Sequence, residues 1–139
     1  MFVGNRRFEI TAVKALIAIN VLVFVLMGVS PTLADFADSI FGLSTRGLAK
    51  GMIWQFVTYQ FVHAGFFHLL VNMLGLWFAG NILERILGIR RFVIFYLICG
   101  VFGGLVQIVL SPGPSTVVGA SGSVCGLVAA FSTMFPQMP

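Results

Sequence analysis

Charged residues are scarce in this sequence. Only 9% of its 139 residues are charged, against roughly 25% in an average soluble domain. Hydrophobic residues make up 59% of the chain, and the mean hydropathy is +1.06. A water-soluble domain of this length could not cover so much apolar surface, because a small globule leaves a large fraction of its chain exposed. The composition therefore indicates an integral membrane protein whose surroundings are the lipid bilayer.

Cysteine and clustered charge are also lacking. Cys99 and Cys125 both fall inside apolar stretches, which argues against a disulfide framework and against a metal site with the usual ligand spacing. The formal net charge of +4 comes from basic residues scattered at the ends of apolar runs, not from a patch interleaved with aromatic residues. The sequence predicts no metal, no other cofactor and no nucleic-acid partner.

Four apolar segments are present, each close to the roughly 20 residues that a helix needs to cross a bilayer. They cover approximately residues 10–29, 66–83, 92–110 and 117–135. No internal repeat or low-complexity tract divides the chain. The predicted architecture is a single all-α domain over residues 1–139, a polytopic transmembrane helix bundle.

Residues 30–60 are too apolar for a solvated loop and too many for a tight turn, so we predict that this segment lies in the membrane interface. Apolar and polar residues alternate in it as in an amphipathic surface helix, and two aromatic residues fit an interfacial belt. The apolar residues are Phe36, Ile40, Phe41 and Leu43, the polar ones Asp35, Asp38 and Ser44, and the aromatic ones Trp54 and Tyr59.

The basic residues predict an orientation. With the N-terminus in the cytoplasm, six basic residues lie inside and only Arg46 and Lys50 lie outside, as the positive-inside rule favours. The six are Arg6, Arg7, Lys14, Arg85, Arg90 and Arg91. No small-residue cleavage site follows Gly28, so we expect an uncleaved N-terminus. The expected location is the plasma (inner) membrane, crossed several times.

His68 and Asn72 are polar residues inside the second apolar segment. Their i, i+4 spacing puts both on one helix face, so they project into the same space. A polar side chain at this depth costs on the order of 1–3 kcal/mol and therefore faces the bundle interior. The residues either bind a neighbouring helix as packing contacts or form part of a functional site.

Ser121 lies between glycines, in the run Gly119-Ala120-Ser121-Gly122. Small neighbours would let a substrate backbone approach the hydroxyl, and a helix N-terminus there would stabilise an oxyanion. The alternative is packing, since Gly122 with Gly126, like Gly100 with Gly104, has the G-x-x-x-G spacing of helix contacts.

Together these residues suggest acyl transfer, which needs a nucleophile, oxyanion donors and a general base. Ser121 can be the nucleophile, and its N–H, His68 and Asn72 can be the donors. No residue supplies the base: His63, the other histidine, is interpreted as an interfacial loop residue.

The stretch from Thr58 to Leu74, with His68 and Asn72 four residues apart, resembles the rhomboid family. Similar segments follow in the same order: Glu84-Arg85 before Gly88, a glycine-containing helix over residues 92–107, and Val118 to Gly122 running on to Phe135-Pro136. The resemblance covers nearly everything from Trp54 onward.

This resemblance implies a rhomboid-like bundle of six helices, of which four are present. It implies an intramembrane serine endopeptidase with Ser121 as nucleophile and an oxyanion hole made with His68 and Asn72, in a cavity open to the outside. Its substrates would be transmembrane segments of other membrane proteins. Trp54-Gln55 stands where the family has a Trp-Arg pair, so any role of that arginine is in doubt.

The family's general base is a histidine on the sixth helix, and the sequence has no counterpart. We expect either a fragment of a longer protease, inactive by itself, or a natural short form without proteolytic activity. Two other interpretations stay open: a rhomboid-like pseudoprotease that binds transmembrane helices without cutting them, and a structural bundle whose polar residues only fix the helix register.

Overall fold

The fold is entirely helical in a computed structural model that describes residues 11–111, 113 and 115–136. Within those ranges the backbone forms seven α-helices and a 3-10 turn over Tyr59–Phe61, and the only β pairing is a bridge between Leu43 and Val117. The helices are α1 (Ala12–Met27), α2 (Pro31–Phe41), α3 (Thr45–Ala49), α4 (Gln55–Thr58), α5 (Phe66–Leu87), α6 (Ile89–Leu110) and α7 (Ser121–Met134). The predicted all-α membrane helix bundle is confirmed.

The four predicted apolar segments correspond to α1, α5, α6 and α7. Helices α5 and α6, with 22 residues each, are long and apolar enough to cross a bilayer, whereas α1 and α7 are shorter apolar helices of 16 and 14 residues. The predicted start at residue 10 and the Arg6-Arg7 pair lie outside the described residues. The number of crossings and the orientation remain predictions.

The helix boundaries differ from the prediction around Gly88. The second and third segments were expected to be separated by residues 84–91, because charged residues cluster there. Instead α5 continues to Leu87 and α6 begins at Ile89, so that Gly88 alone joins them. Gly88 has φ +77°, a left-handed conformation that glycine adopts at little cost.

The fourth segment begins later than predicted, at Ser121 rather than at residue 117. Val117 is held in extended backbone by two hydrogen bonds with Leu43, of 2.8 and 2.9 Å. Gly119 follows with φ +115°, which a helix cannot contain.

The segment predicted to lie in the membrane interface, residues 30–60, is largely helical. Ser30 caps α2 by accepting a hydrogen bond from the Leu33 N–H, and Pro31 occupies its first turn, a favoured arrangement. Ala37 faces inward while Phe36 is exposed, as expected of an amphipathic helix. Tyr59 was wrongly predicted to belong to an aromatic belt: it is buried, and its hydroxyl donates to the Gly100 carbonyl at 2.6 Å.

Helix α5 contacts α1, α6 and α7, so it is the central element of the bundle. The interior is filled by large apolar side chains from all four helices, among them Val13, Leu16, Leu76, Leu83, Phe92, Tyr96 and Leu127. The outer faces are apolar too: Phe67 is 77% exposed and Val109 72%. Such outer faces suit a lipid environment.

Glu84 joins the central helix to the start of α1. Its two carboxylate oxygens accept hydrogen bonds from the N–H groups of Ala12, at 2.9 Å, and Val13, at 3.0 Å. These N–H groups have no partner within their own helix, and the positive end of the helix dipole favours an anion there. This explains how a buried carboxylate is tolerated.

Candidate functional site

Helix α7 packs against the face of α5 that carries His68 and Asn72. Gly75 lies on that same face, one turn beyond Asn72, and a Cβ added to it would meet the Val124 side chain at 2.5 Å. Val124 is three residues after Ser121, on the same side of α7. The serine-bearing end of α7 therefore faces the histidine-bearing end of α5.

Gly119 makes the closest approach between the two segments. A Cβ added there would lie 2.5 Å from Cε1 of His68 and 2.7 Å from its Nε2, far inside van der Waals contact. Its φ of +115° also disfavours any other residue. Glycine at this position thus lets the backbone before Ser121 lie directly on the imidazole ring.

Ser121 is the first residue of α7, and its side chain is exposed. Its hydroxyl has no hydrogen-bond partner among the described residues. Ala120 precedes the helix without a capping side-chain hydrogen bond, so the N–H groups of the first turn have no side-chain partner there. An accessible hydroxyl beside unpaired N–H donors is an arrangement suited to a reacting carbonyl.

Asn72 is 4% exposed. Its Nδ2 donates to the His68 carbonyl of the preceding turn at 3.0 Å. An amide nitrogen carries two protons, so one remains for another acceptor. The intrahelical bond fixes the rotamer of this side chain on the face shared with the His68 ring.

His63 occupies a different position from the one predicted. It lies in the link before α5, as expected, but it is 2% exposed and therefore not an interfacial residue. Its ring stands edge-on to that of His68, with centroids 5.2 Å apart. Its Nε2 accepts a hydrogen bond from the Ala120 N–H at 3.3 Å.

The pKa of His63 is lowered to about 4, first by burial and then by the nearby His68, with a smaller opposing contribution from the Phe61 backbone, which does not meet the geometry of a hydrogen bond to the buried Nδ1. The ring is accordingly neutral at physiological pH. Because Nε2 accepts, we assign the ring proton to Nδ1.

The turn formed by residues 59–63 holds the segment around Ser121 through three hydrogen bonds. Gly119 N–H donates to the Tyr59 carbonyl at 2.9 Å, and Ala120 N–H to His63. The Ser123 hydroxyl donates to Oε1 of Gln60 at 2.8 Å. Sequence reasoning missed these contacts, although an amide between Tyr59 and Phe61 in an apolar run was a signal that Gln60 has a buried partner.

The glycine pairs pack as their spacing suggested, but against two kinds of partner. Gly122 of α7 packs on Gly103 of α6: a Cβ added to Gly103 would lie 2.9 Å from the Cα of Gly122. Gly126 packs against Cys99, whose side chain leaves no space for a Cβ at Gly126. Gly100 and Gly104 receive other side chains, namely Gln60 at Gly100 and Tyr59 and Leu43 at Gly104. Gly100 and Gly104 therefore make space for side chains from the segment before α5, not for another helix.

Gln55, which the sequence predicts to stand in place of an arginine, is fully buried. Its Oε1 accepts from the Ser44 N–H at 3.2 Å, and its Nε2 donates to the Ser39 carbonyl at 3.2 Å. The neighbouring Trp54 donates from its indole to the Ile40 carbonyl at 2.9 Å. An uncharged amide thus connects α4 to the end of α2 and the start of α3.

Fold and site together define a class of protein: a membrane helix bundle. At one end of its two facing helices it gathers a serine, two histidines and an asparagine. The model of the rhomboid domain matches residues 50–139, which include all four of these side chains. The chain belongs to the rhomboid family.

Individual relatives agree with this assignment. The rhomboid protease GluP of Bacillus subtilis is 35% identical over 116 residues, which are 82% of this chain and 22% of GluP. The putative rhomboid protease YdcA of the same organism is 33% identical over 96% of this chain and 70% of its own length. RHOMBOID-like protein 4 of Arabidopsis thaliana is 41% identical over 63% of this chain and 22% of its own. The chain thus spans under a quarter of two of these relatives.

Proposed function

We propose that this chain contributes the nucleophile and the oxyanion hole of an intramembrane serine endopeptidase that cleaves transmembrane segments of membrane proteins. The strongest support for this proposal is that the backbone of Gly119, two residues before Ser121, lies against the His68 ring. It brings the serine segment onto the face of α5 that carries His68 and Asn72.

In this mechanism the Ser121 hydroxyl gives its proton to a general base, its oxygen forms a bond to the carbon of a peptide carbonyl, and the electron pair of the carbonyl bond moves to the carbonyl oxygen, which becomes an oxyanion. The donors to that oxygen are the N–H of Ser121, the imidazole of His68 and the remaining amide proton of Asn72. The dipole of α7 adds positive potential at the same point. Removing one such donor costs about 3 kcal/mol of transition-state stabilisation in a comparable site.

His63 does not fit the role of general base. Its Nε2 is already engaged by the Ala120 N–H, and a base with a pKa of about 4 has little drive to take a proton from a hydroxyl. We assign it instead to positioning the backbone beside Ser121. The base is not assigned to a residue of this sequence.

A fluorophosphonate probe tests the nucleophile. In the full-length protein in membranes it should label Ser121, and Ser121→Ala should abolish the label while Ser132→Ala, an exposed serine on the same helix, keeps it. A folded protein whose label survives Ser121→Ala, or that takes no label at all, removes Ser121 from this role.

The alternative is a pseudoprotease that binds transmembrane helices without cutting them. The observation that favours it is that Ser121 has no hydrogen-bond partner among the described residues, so the activation seen in serine hydrolases is not apparent. A transmembrane peptide that crosslinks next to Ser121 in the full-length protein but remains uncleaved supports this reading; cleavage that depends on Ser121 rejects it.

A further inference from the structure

A cavity lies at the opposite end of α5 from His68, where α5 meets α1 and α6. Its volume is about 530 Å³. It is lined by basic, polar and aromatic side chains together with the α5–α6 junction: Lys14, Arg85, Thr11, Asn81, Trp77 and Glu84, with Gly88 and Ile89. None of these residues belongs to the site around Ser121.

The charge in this cavity is positive. Lys14 comes from α1 and Arg85 from α5, so two separate helices each supply a cation. Glu84 also lines it, but both of its oxygens accept hydrogen bonds from the N–H groups that begin α1, and the dipole of that helix offsets its charge.

Arg85 is exposed, and its guanidinium forms no hydrogen bond or ion pair within the described ranges. A guanidinium presents a fork of N–H donors that matches the oxygens of a phosphate group. The amide of Asn81 donates to the Trp77 carbonyl of its own helix at 2.6 Å, which leaves its Oδ1 and one N–H without a partner among the described residues. The cavity therefore offers donors suited to an anion.

The surroundings indicate where that anion comes from. Trp77 is 51% exposed and borders the cavity about two helical turns before Arg85, at the depth of the lipid chains rather than of the headgroups. Arg90 and Arg91 are exposed in the next turn, at the start of α6. Basic pockets between transmembrane helices bind the headgroups of anionic lipids.

We infer that the cavity between α1, α5 and α6 binds a phosphate group, namely that of an anionic phospholipid in the leaflet at this end of the bundle. Arg85 holds the phosphate, Lys14 adds positive potential beside it, and Trp77 packs against the lipid chains. This inference is independent of the proposed peptidase activity.

Lipid binding can be measured on the purified protein by native mass spectrometry. Phosphatidylglycerol should be retained in preference to phosphatidylcholine, and Arg85→Gln should lower its affinity about fivefold, as loss of one basic contact implies. Arg85→Lys should keep most of the affinity, and Lys14→Gln should reduce it independently. The matched control is Arg46→Gln, which removes the same charge from an exposed residue of α3 and should leave affinity unchanged.

Three outcomes would overturn the inference. One is equal retention of the two lipids, and another is equal phosphatidylglycerol affinity in Arg85→Gln and in Arg46→Gln. The third is Arg85-dependent binding of inorganic phosphate with no preference for lipid, which would identify a free phosphate as the ligand. If Arg85→Gln fails to fold, the comparison of Lys14→Gln with Arg46→Gln decides.

Discussion

Nε2 of His63 accepts a hydrogen bond from the N–H of Ala120 across 3.3 Å. The donor lies one residue before Ser121, and the acceptor lies two residues after the 3-10 turn over Tyr59–Phe61. A neutral imidazole is needed for this bond, because a protonated ring has no acceptor. The position of the serine segment is thereby connected to the protonation state of a histidine outside α5.

We expect the stability of the protein to fall on acidification because of His63. Its pKa is about 4 when folded and about 6.5 when unfolded. The unfolded state therefore binds more protons between these values, so this contribution is fully present above about pH 6.5 and is lost as the pH falls toward 4. The loss is up to about 3 kcal/mol.

Thermal unfolding in detergent from about pH 7 to about pH 4 measures this effect. His63→Gln should be less stable at neutral pH but should show a flatter pH profile. Ser132→Ala is the control, since it removes only an exposed bond to Val128, leaves His63 and His68 unchanged and should keep the full dependence of stability on pH. If His63→Gln and the unchanged protein lose stability in parallel, His63 is not the responsible group.

Gly119→Ala should disrupt the candidate site. The added Cβ would lie 2.5 Å from the His68 ring, and the φ of +115° would cost roughly 1–3 kcal/mol more. Since a displacement of about 1 Å can cost about 100-fold in rate, fluorophosphonate labelling of Ser121 should fall by at least about tenfold.

Gly65→Ala is the control for this substitution. Gly65 precedes α5 and has open space where its Cβ would be, with an extended φ of −171°. Its labelling should stay near that of the unchanged protein. Equal labelling in the two alanine variants would mean that Gly119 does not set the geometry beside Ser121.

Ser123→Ala should destabilise the bundle by about 1–2 kcal/mol, because it leaves the buried Oε1 of Gln60 without a donor. Ser132→Ala removes only an exposed intrahelical bond to Val128 and should change the free energy of unfolding by no more than about 0.5 kcal/mol. Unfolding by SDS in mixed micelles compares the two.

A double-mutant cycle with Gln60→Leu isolates the interaction between Gln60 and Ser123. The expected coupling is about 0.6 kcal/mol and at most about 1.7, as for other hydrogen bonds between membrane helices. Additive effects would show that the two side chains contribute separately, in spite of the 2.8 Å contact.

The sequence predicted the structure correctly where a helix is recognisable from the local spacing of polar and apolar residues. The four-residue spacing of His68 and Asn72 predicts a shared helix face from geometry alone, and the structure has both on the face that α7 covers. The apolar segments likewise predict which parts of the chain form the bundle. The role of Ser121 as nucleophile remains a prediction, since its chemistry is not visible in the fold.

Contacts between distant parts of the chain could not be predicted in this way. Nothing in the pattern around Tyr59 shows that its hydroxyl reaches Gly100, 41 residues away, and the tyrosine resembled an interfacial one. His63 looked like an interfacial residue because burial by a distant segment leaves no periodic pattern in the sequence. Gly88 joins α5 to α6 because a positive φ redirects the chain in one residue, which charge clustering could not reveal.

Glu84 provides a test of how the first helix is attached. Glu84→Gln keeps one oxygen acceptor for Ala12 or Val13 but loses the charge, whereas Glu84→Ala leaves both N–H groups without a partner. Hydrogen bonds to a charged group contribute about 1.5–3 kcal/mol each, so the alanine variant should lose about 3 kcal/mol or more and the glutamine variant about half of that.

Asp35→Asn, an exposed carboxylate on α2, serves as the matched change of charge and should alter stability by less than about 0.5 kcal/mol. Hydrogen exchange adds a local measurement: in the alanine variant the amides of the first turn of α1 should lose protection while those of α6 keep theirs. Uniform loss across both helices would show that Glu84 supports the whole bundle rather than the start of α1, and unchanged exchange would show that its two hydrogen bonds contribute no stability.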